Sequence, residues 1–297
     1  MISMRRASPT AGSTRRRPIG MGSMSRRPSR NRPNRRSALL LLALLLAAAA
    51  PAAPARAIEE PHHFSLAYDV SLTGIPLMAL EVNAVVSRDR YALRTYFFTY
   101  GVLDFMFRVR NESAVDGVIA DDTVRPTRYT TVGSWRGSRR SADLIYRGPE
   151  VAVELDPPTI EDDREPVPEA MRGDTLDPLS PVVTLSLGLR AESPCPAKVP
   201  VFDGRRRYNM RLDPVGVEQL PAGNGSIAVG MTVKCLLVVE PIAGYLRSRP
   251  FRPRLPSEVW FQRLSDETLW VPIRVKGESF FGSFTAELKR YEPHHQL

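Results

Sequence analysis

Cys195 and Cys235 are the only cysteines in the 297-residue chain, 40 positions apart. An even pair in an exported chain predicts a structural disulfide, and closing a loop of this length is worth about 4 kcal/mol in the chain-entropy description. The alternative chemistry is a redox dithiol, whose sulfurs ordinarily lie close in sequence, as in Cys-x-x-Cys. The four histidines are His62, His63, His294 and His295. A Ser-His-Asp or Cys-His arrangement would therefore need an end of the chain to fold back into a cleft. A metal site would need the two ends to meet. Adjacent histidines without spaced cysteine or carboxylate ligands point instead to flexible ends.

Carboxylates cluster in IEDDREPVPE at 160–169, with Glu161, Asp162, Asp163, Glu165 and Glu169. Paired carboxylates perform acid-base chemistry when a cleft holds them at a defined separation. The surrounding Pro157, Pro158, Pro166 and Pro168 predict a solvated loop. There is no phosphate-cradling glycine motif and no dinucleotide fingerprint. No residue is assigned as catalytic, cofactor-binding or metal-ligating on this basis. The basic cluster in GYLRSRPFRPRLPSE is the best electrostatic candidate: Arg247, Arg249, Arg252 and Arg254 alternate with prolines, and no acid occurs before Glu258. Its expected chemistry is contact with an anionic head group of lipid or polysaccharide, set against plain solvation.

The net charge of +9 misleads until it is divided by region. Twelve arginines and no acidic residue occupy positions 1–57, which leaves 29 basic against 32 acidic side chains, a net of −3, from Ile58 onward. A nucleic-acid partner is not expected, since phosphate neutralisation needs a positive folded surface. The leader has the order of an export signal: arginines to Arg36, an apolar run of 13 residues from Ala38 to Ala50, then small residues at Ala55 and Ala57. The run is shorter than the roughly 20 residues of a spanning helix. Cleavage after Ala57 would release residues 58–297 as a single soluble domain in a bacterial periplasm.

The elements that must position these residues read as strands. In FSLAYDVSLT, Phe64, Leu66, Tyr68, Val70 and Leu72 share one face, the period of a half-buried strand. LMALEVNAVVS sends Leu80, Val82 and Val86 inward, and RYALRTYFFTY supplies a third run, together predicting a meander. Similar runs follow at RPTRYTTVGSW, RRSADLIYR, EVAVELD, VPVF, RRRYNMRL, SIAVGMTVKCLLVVE, EVWFQRL, LWVPIRVKGES and SFTAELKRY. Asp203-Gly204 predicts a two-residue hairpin turn before the triplet Arg205, Arg206, Arg207. Arg205, Arg207, Asn209 and Arg211 then form a solvated strand face.

DPLSPVVTLSLGLR predicts a helix with Asp177 as N-cap and Pro178 at the first position, its face made of Leu179, Val182, Val183 and Leu187. Gly101–Arg108 reads equally as short helix or strand. The predicted fold is mainly β: a curved antiparallel sheet or partly open barrel of about ten strands with one or two short helices. Its concave face would carry Phe64, Leu66, Tyr68, Val70, Leu80, Val82 and Val86, closed by Phe284 and Leu288. Alternation establishes burial, and both a filled core and an apolar cavity satisfy it.

The order of YDVSLTGIP, TYG, RPTRY, DPLS, SPCP around Cys195, VFDGRRRY, the second cysteine, PIAGY, VW, VPIRV and GSFTAELKR resembles a bacterial envelope family catalogued as domain of unknown function 3108. The resemblance spans about Phe64 to Tyr291 and implies an exported β protein without an assigned activity. At fold level the chain also resembles periplasmic lipoprotein carriers, in which a curved antiparallel sheet wraps an apolar cavity under a helix. Two functions follow. The first is a non-catalytic protein that binds an apolar envelope ligand such as a lipid or assists envelope assembly, with Arg247, Arg249, Arg252 and Arg254 at the mouth of the cavity. The second is a hydrolase of an envelope polymer acting through carboxylates.

Overall fold

The alternation read from the sequence is realised in a computed structural model that describes residues 61–297, apart from 136, 159–162, 189–194, 196–197, 222–226, 228, 249–254, 264–268, 280–281 and 295–297. In β1 (His62–Leu72), Phe64, Leu66, Tyr68 and Val70 are buried and the residues between them are not. β2 (Ile75–Val86) and β3 (Arg90–Thr99) continue the meander, and a short helix, α1 (Gly101–Met106), leads into β4 (Val109–Ala120). β5 (Thr123–Trp135), β6 (Ser138–Arg147) and β7 (Glu150–Asp156) complete the first half. A 3-10 turn at Glu169–Met171 and helix α2 (Ser180–Gly188) precede β8 (Lys198–Phe202), β9 (Arg207–Leu220), β10 (Gly230–Ala243), β11 (Ser257–Arg263), β12 (Trp270–Ser279) and β13 (Gly282–His294).

All the strands belong to one antiparallel sheet of 13, ordered β7-β6-β5-β4-β3-β2-β1-β13-β12-β11-β10-β9-β8. The chain therefore makes two meanders, joined where the first strand pairs with the last. The expected architecture holds, with 13 strands rather than about ten. β4 is the strand that apolar alternation passes over, because its buried positions include Ser113 and Gly117 beside Val115. Gly117 has to be small: a Cβ there would lie 2.3 Å from the Tyr91 ring.

The sheet curls around its core. Helix α2 packs against both β5 and β12, strands six places apart in the order. It divides its apolar side chains between two clusters. Val183, with the half-buried Leu179 and Leu187, joins Phe64, Leu66, Tyr68, Tyr129, Leu144 and Leu288, whereas Leu185 joins Cys195, Val233, Cys235, Val259 and Phe261. Val182, expected on the packed face, is exposed, and Leu185 and Ser186 are buried in its place. The helix is packed on more than one side, so the single stripe expected of a surface helix does not apply.

The edge strands are β7 and β8, and the loop after β8 reaches across to β7. A Cβ on Gly204 would stand 3.1 Å from Ala142, Leu144 and Leu155 of β6 and β7. Beside it, Arg205 donates to the carbonyl oxygen of Pro157 at 2.7 Å. An open strand order is thus brought close to a barrel by side-chain and loop contacts at its seam.

Candidate functional site

Asp177 is wholly buried three residues before α2. Its Oδ1 accepts from the amides of Leu179 at 2.8 Å and Ser180 at 3.1 Å, the bonds expected of an N-cap, although the regular helix starts only at Ser180. Its Oδ2 accepts from the Ser180 hydroxyl, whose oxygen also meets Tyr91 Oη at 2.6 Å. Burial raises the Asp177 pKa, against the lowering effect of these bonds. Burial likewise raises Tyr91, Tyr146 and Tyr208 far above the ordinary phenol range and pushes Tyr129 up to about 12. These tyrosines are therefore neutral hydroxyls at ordinary pH and serve as hydrogen-bonding groups, not bases. The Tyr146 hydroxyl is buried without a hydrogen-bond partner among the described residues.

Among the described residues Asp177 is the only buried carboxylate, and its oxygens are taken up by the helix start. Within the acidic loop, Asp163 is held below the usual carboxylate range by bonds from Ser248. Its Oδ2 accepts from the Ser248 amide at 2.8 Å, and Arg164 donates to the Gly244 carbonyl at 3.0 Å. Asp163 and Arg164 thus tether the segment after β10. Glu161 and Asp162 lie outside the described residues. Among the described residues of this loop, Asp163 is engaged in a structural tether.

Asp104, in the short helix α1, is held in place as well. Arg110 at 2.6 Å and Thr99 at 2.8 Å hold it and lower its pKa to about 2. Thr99 in turn accepts from the Val109 amide, so the acid fixes α1 between β3 and β4.

The arginine triplet is positioned differently from its sequence reading. Asp203–Arg206 form a four-residue loop, with Phe202 paired to Arg207. The Asp203 carboxylate accepts from the amides of Arg205 at 2.9 Å and Arg206 at 2.6 Å and from the Arg206 side chain at 2.7 Å. Local side-chain bonding of this kind competes with the tight turn that the dipeptide suggested. Arg207 donates to Asn209 and Arg211 to Glu240, and Asn209 is buried, so this face is a partnered, half-exposed network.

Cys195 and Cys235 are bonded, with Cα atoms 6.0 Å apart, beneath α2. Phe64, Leu66, Tyr68, Val86 and Leu288 are buried in one cluster with part of that helix, and Val82 packs against it. Phe284 is half-buried and shares their face, since it pairs with Leu72. Cover of the apolar side chains is uneven along this inward face toward the β1–β2 turn, although Thr99 and Val70, which flank Met78, are buried. Ala84, Val86, Leu93 and Tyr91 are buried, whereas Met78, Leu80, Val82 and Phe97 on the same two strands are half-buried.

At that end the apolar surface continues outward, with Phe105 of α1 91% exposed and Val102, Met106 and Ile75 also exposed. The β10–β11 connection leaves the sheet at the same end, as the antiparallel order requires, and its Arg247 is exposed. Arg249, Arg252 and Arg254 lie outside the described residues, as do the leader, Ala57 and His295.

Two shallow grooves, about 430 and 530 Å³, lie along β1 to β5. The first is bordered by Asn83, Arg94, Tyr96 and Glu112, the second by His63, Arg90 and Asp116. Arg94 grips Asp116 with two bonds of 2.9 Å. Sequence reading singled out neither groove, since their polar residues come from strands apart in the chain. Among the described residues no helix is long and apolar enough to cross a membrane.

These features define a β-barrel-like protein built from one antiparallel sheet with an internal helix. The sequence matches the family described as "Protein of unknown function (DUF3108)" over residues 67–289, and the chain belongs to that family. No curated protein matches it. Its fold is similar to the crystal structure of a beta-barrel-like protein of domain of unknown function DUF1849 from Brucella abortus. That likeness has 12% identity and a TM-score of 0.50, covering 79% of this chain and 98% of the other.

Proposed function

We propose that this protein is exported to the bacterial periplasm with cleavage after Ala57, and there binds an apolar envelope ligand such as a lipid without catalysing its conversion. The observation that carries this reading is the uneven cover of the inward face. One end is filled by α2 and the Phe64–Leu288 cluster, whereas Met78, Leu80, Val82, Phe97 and Phe284, toward the other end, are only half-buried, Leu80 and Val82 packing against the margin of that cluster. Apolar side chains left half-exposed inside a curved sheet favour an acyl or similar chain by about 25 cal/mol per Å² removed from water. Arg247 in the β10–β11 connection would hold an anionic head group at that end. The Arg-rich leader supports export, and the Cys195–Cys235 bond supports an oxidising compartment.

Native mass spectrometry of protein purified from its own host tests the reading: a retained small apolar ligand is expected. A fluorescent fatty acid should bind the purified protein, and Leu80→Asp with Phe97→Asp should reduce that binding at least tenfold while the circular dichroism spectrum is kept. Protein that carries no ligand and gives the same probe signal in both forms would overturn the proposal.

A further inference from the structure

The histidines confined to the two ends of the sequence are brought together by the fold. His63 and His294 stand directly opposite each other in the register of β1 with β13. His63 alternates with the buried Phe64, so the pair is on the outward face. Directly opposed residues of an antiparallel pair have Cβ atoms about 4.5–5.5 Å apart, a span across which two imidazoles can share one ion.

One of the rings is already oriented. Ser65 donates its single hydrogen to Asn83 Oδ1 at 2.6 Å, so its oxygen accepts from His294 Nε2 at 2.7 Å. In the neutral ring this leaves the proton on Nε2 and the lone pair on Nδ1. A ring N–H held by an oxygen while the other nitrogen keeps its lone pair is the outer-shell arrangement of metal-ligating histidines. His62 is opposite Val86 and belongs to the other face.

We infer that His63 and His294 form a site for a late first-row divalent cation, Cu²⁺ ahead of Zn²⁺, on the outward face of the β1–β13 seam, with Ser65 and Asn83 orienting one ligand. Imidazole suits these ions, and the order of affinities places Cu²⁺ first. Among the described residues no group of three or more His, Cys, Asp or Glu side chains forms, so solvent completes the coordination. Because the ligands come from the first and last strands of the sheet, the ion joins its two meanders, and binding raises folding stability through mass action.

The test uses purified protein without a histidine tag, titrated separately with CuCl₂ and ZnCl₂. Wild type is expected to bind one equivalent and to gain thermal stability, with Cu²⁺ giving an electron paramagnetic resonance signal of two nitrogen ligands. His63→Ala and His294→Ala should each lose affinity at least tenfold, Ser65→Ala should lose about 10–100-fold, and His62→Ala should bind as wild type. Thermal unfolding without metal checks that each variant is folded, and His63→Gln and His294→Gln are read where an alanine variant is not. Unchanged binding on removal of both His63 and His294, or binding that follows His62, would overturn the inference.

Discussion

Arg205, in the loop after β8, donates to the carbonyl of Pro157, just beyond β7, at 2.7 Å. These residues belong to opposite ends of the strand order, so this bond crosses the seam of the sheet. The guanidinium is half-buried and also reaches the Ser141 carbonyl at 3.5 Å. Removing it leaves carbonyl oxygens near the seam with fewer donors, and a hydrogen bond from a charged group is worth about 1.5–3 kcal/mol. Arg205→Ala should lower stability in urea by an amount in that range and speed hydrogen exchange in β7. A variant with wild-type stability and exchange would show that the seam is held without it.

Gly204 makes the same seam testable by crowding. It has φ of +90°, and an added Cβ would press on Ala142, Leu144 and Leu155 at 3.1 Å. Backbone strain and overpacking then add, so Gly204→Ala should cost about 2–4 kcal/mol. Gly74 has a similar φ of +87° but open space around it. Gly74→Ala should therefore cost less, about 1 kcal/mol, and a comparison of urea midpoints separates strain from crowding.

The Cys195–Cys235 bond closes a 40-residue loop that contains β8 and β9. Replacing both cysteines with serine should lower stability by about 4 kcal/mol. Non-reducing peptide maps should recover the linked pair from native protein. Two alkylatable thiols in that protein would remove the bond and the compartment argument with it.

Strands were legible where one face was apolar. β1 announces itself through Phe64, Leu66, Tyr68 and Val70, all of them buried. β4 was not, because its inward positions are cut to fit larger neighbours: Gly117 lies under Tyr91, and Ser113 bonds to Thr131. Complementarity of that kind belongs to pairs of strands and leaves no period in one of them. The Asp203-Gly204 dipeptide was a sound local signal, but the Asp203 carboxylate, bonded to the two following amides, opens a longer loop.

The candidate sites differed in the same way. The cysteine pair could be read from count and compartment, and the inward apolar set from alternation. The fall in cover from Val86 to Leu80 could not, since the same alternation of apolar side chains runs through both positions. Nor could the meeting of His63 with His294, because pairing of the first strand with the last is the most non-local contact the chain makes.

Asp177 gives a prediction whose sign is set by its environment. Burial raises its pKa above the ordinary 3.8. Between the unfolded and folded values the native state retains a proton that the unfolded state has lost, so stability falls as pH rises through that window. The contribution is full below the unfolded value and is lost as pH passes the folded one. Asp177→Asn keeps an oxygen to cap Leu179 and Ser180 and removes the titration. It should therefore flatten this component of the stability profile, measured by urea unfolding from about pH 3.5 upward. Asp177→Ala also removes the titration but strands the two amides and the Ser180 hydroxyl in a buried place. It should cost about 1–3 kcal/mol more than the asparagine variant at every pH. Equal stability of the two variants would mean that the cap bonds contribute nothing. An unchanged pH slope in both would mean that Asp177 titrates at its ordinary value.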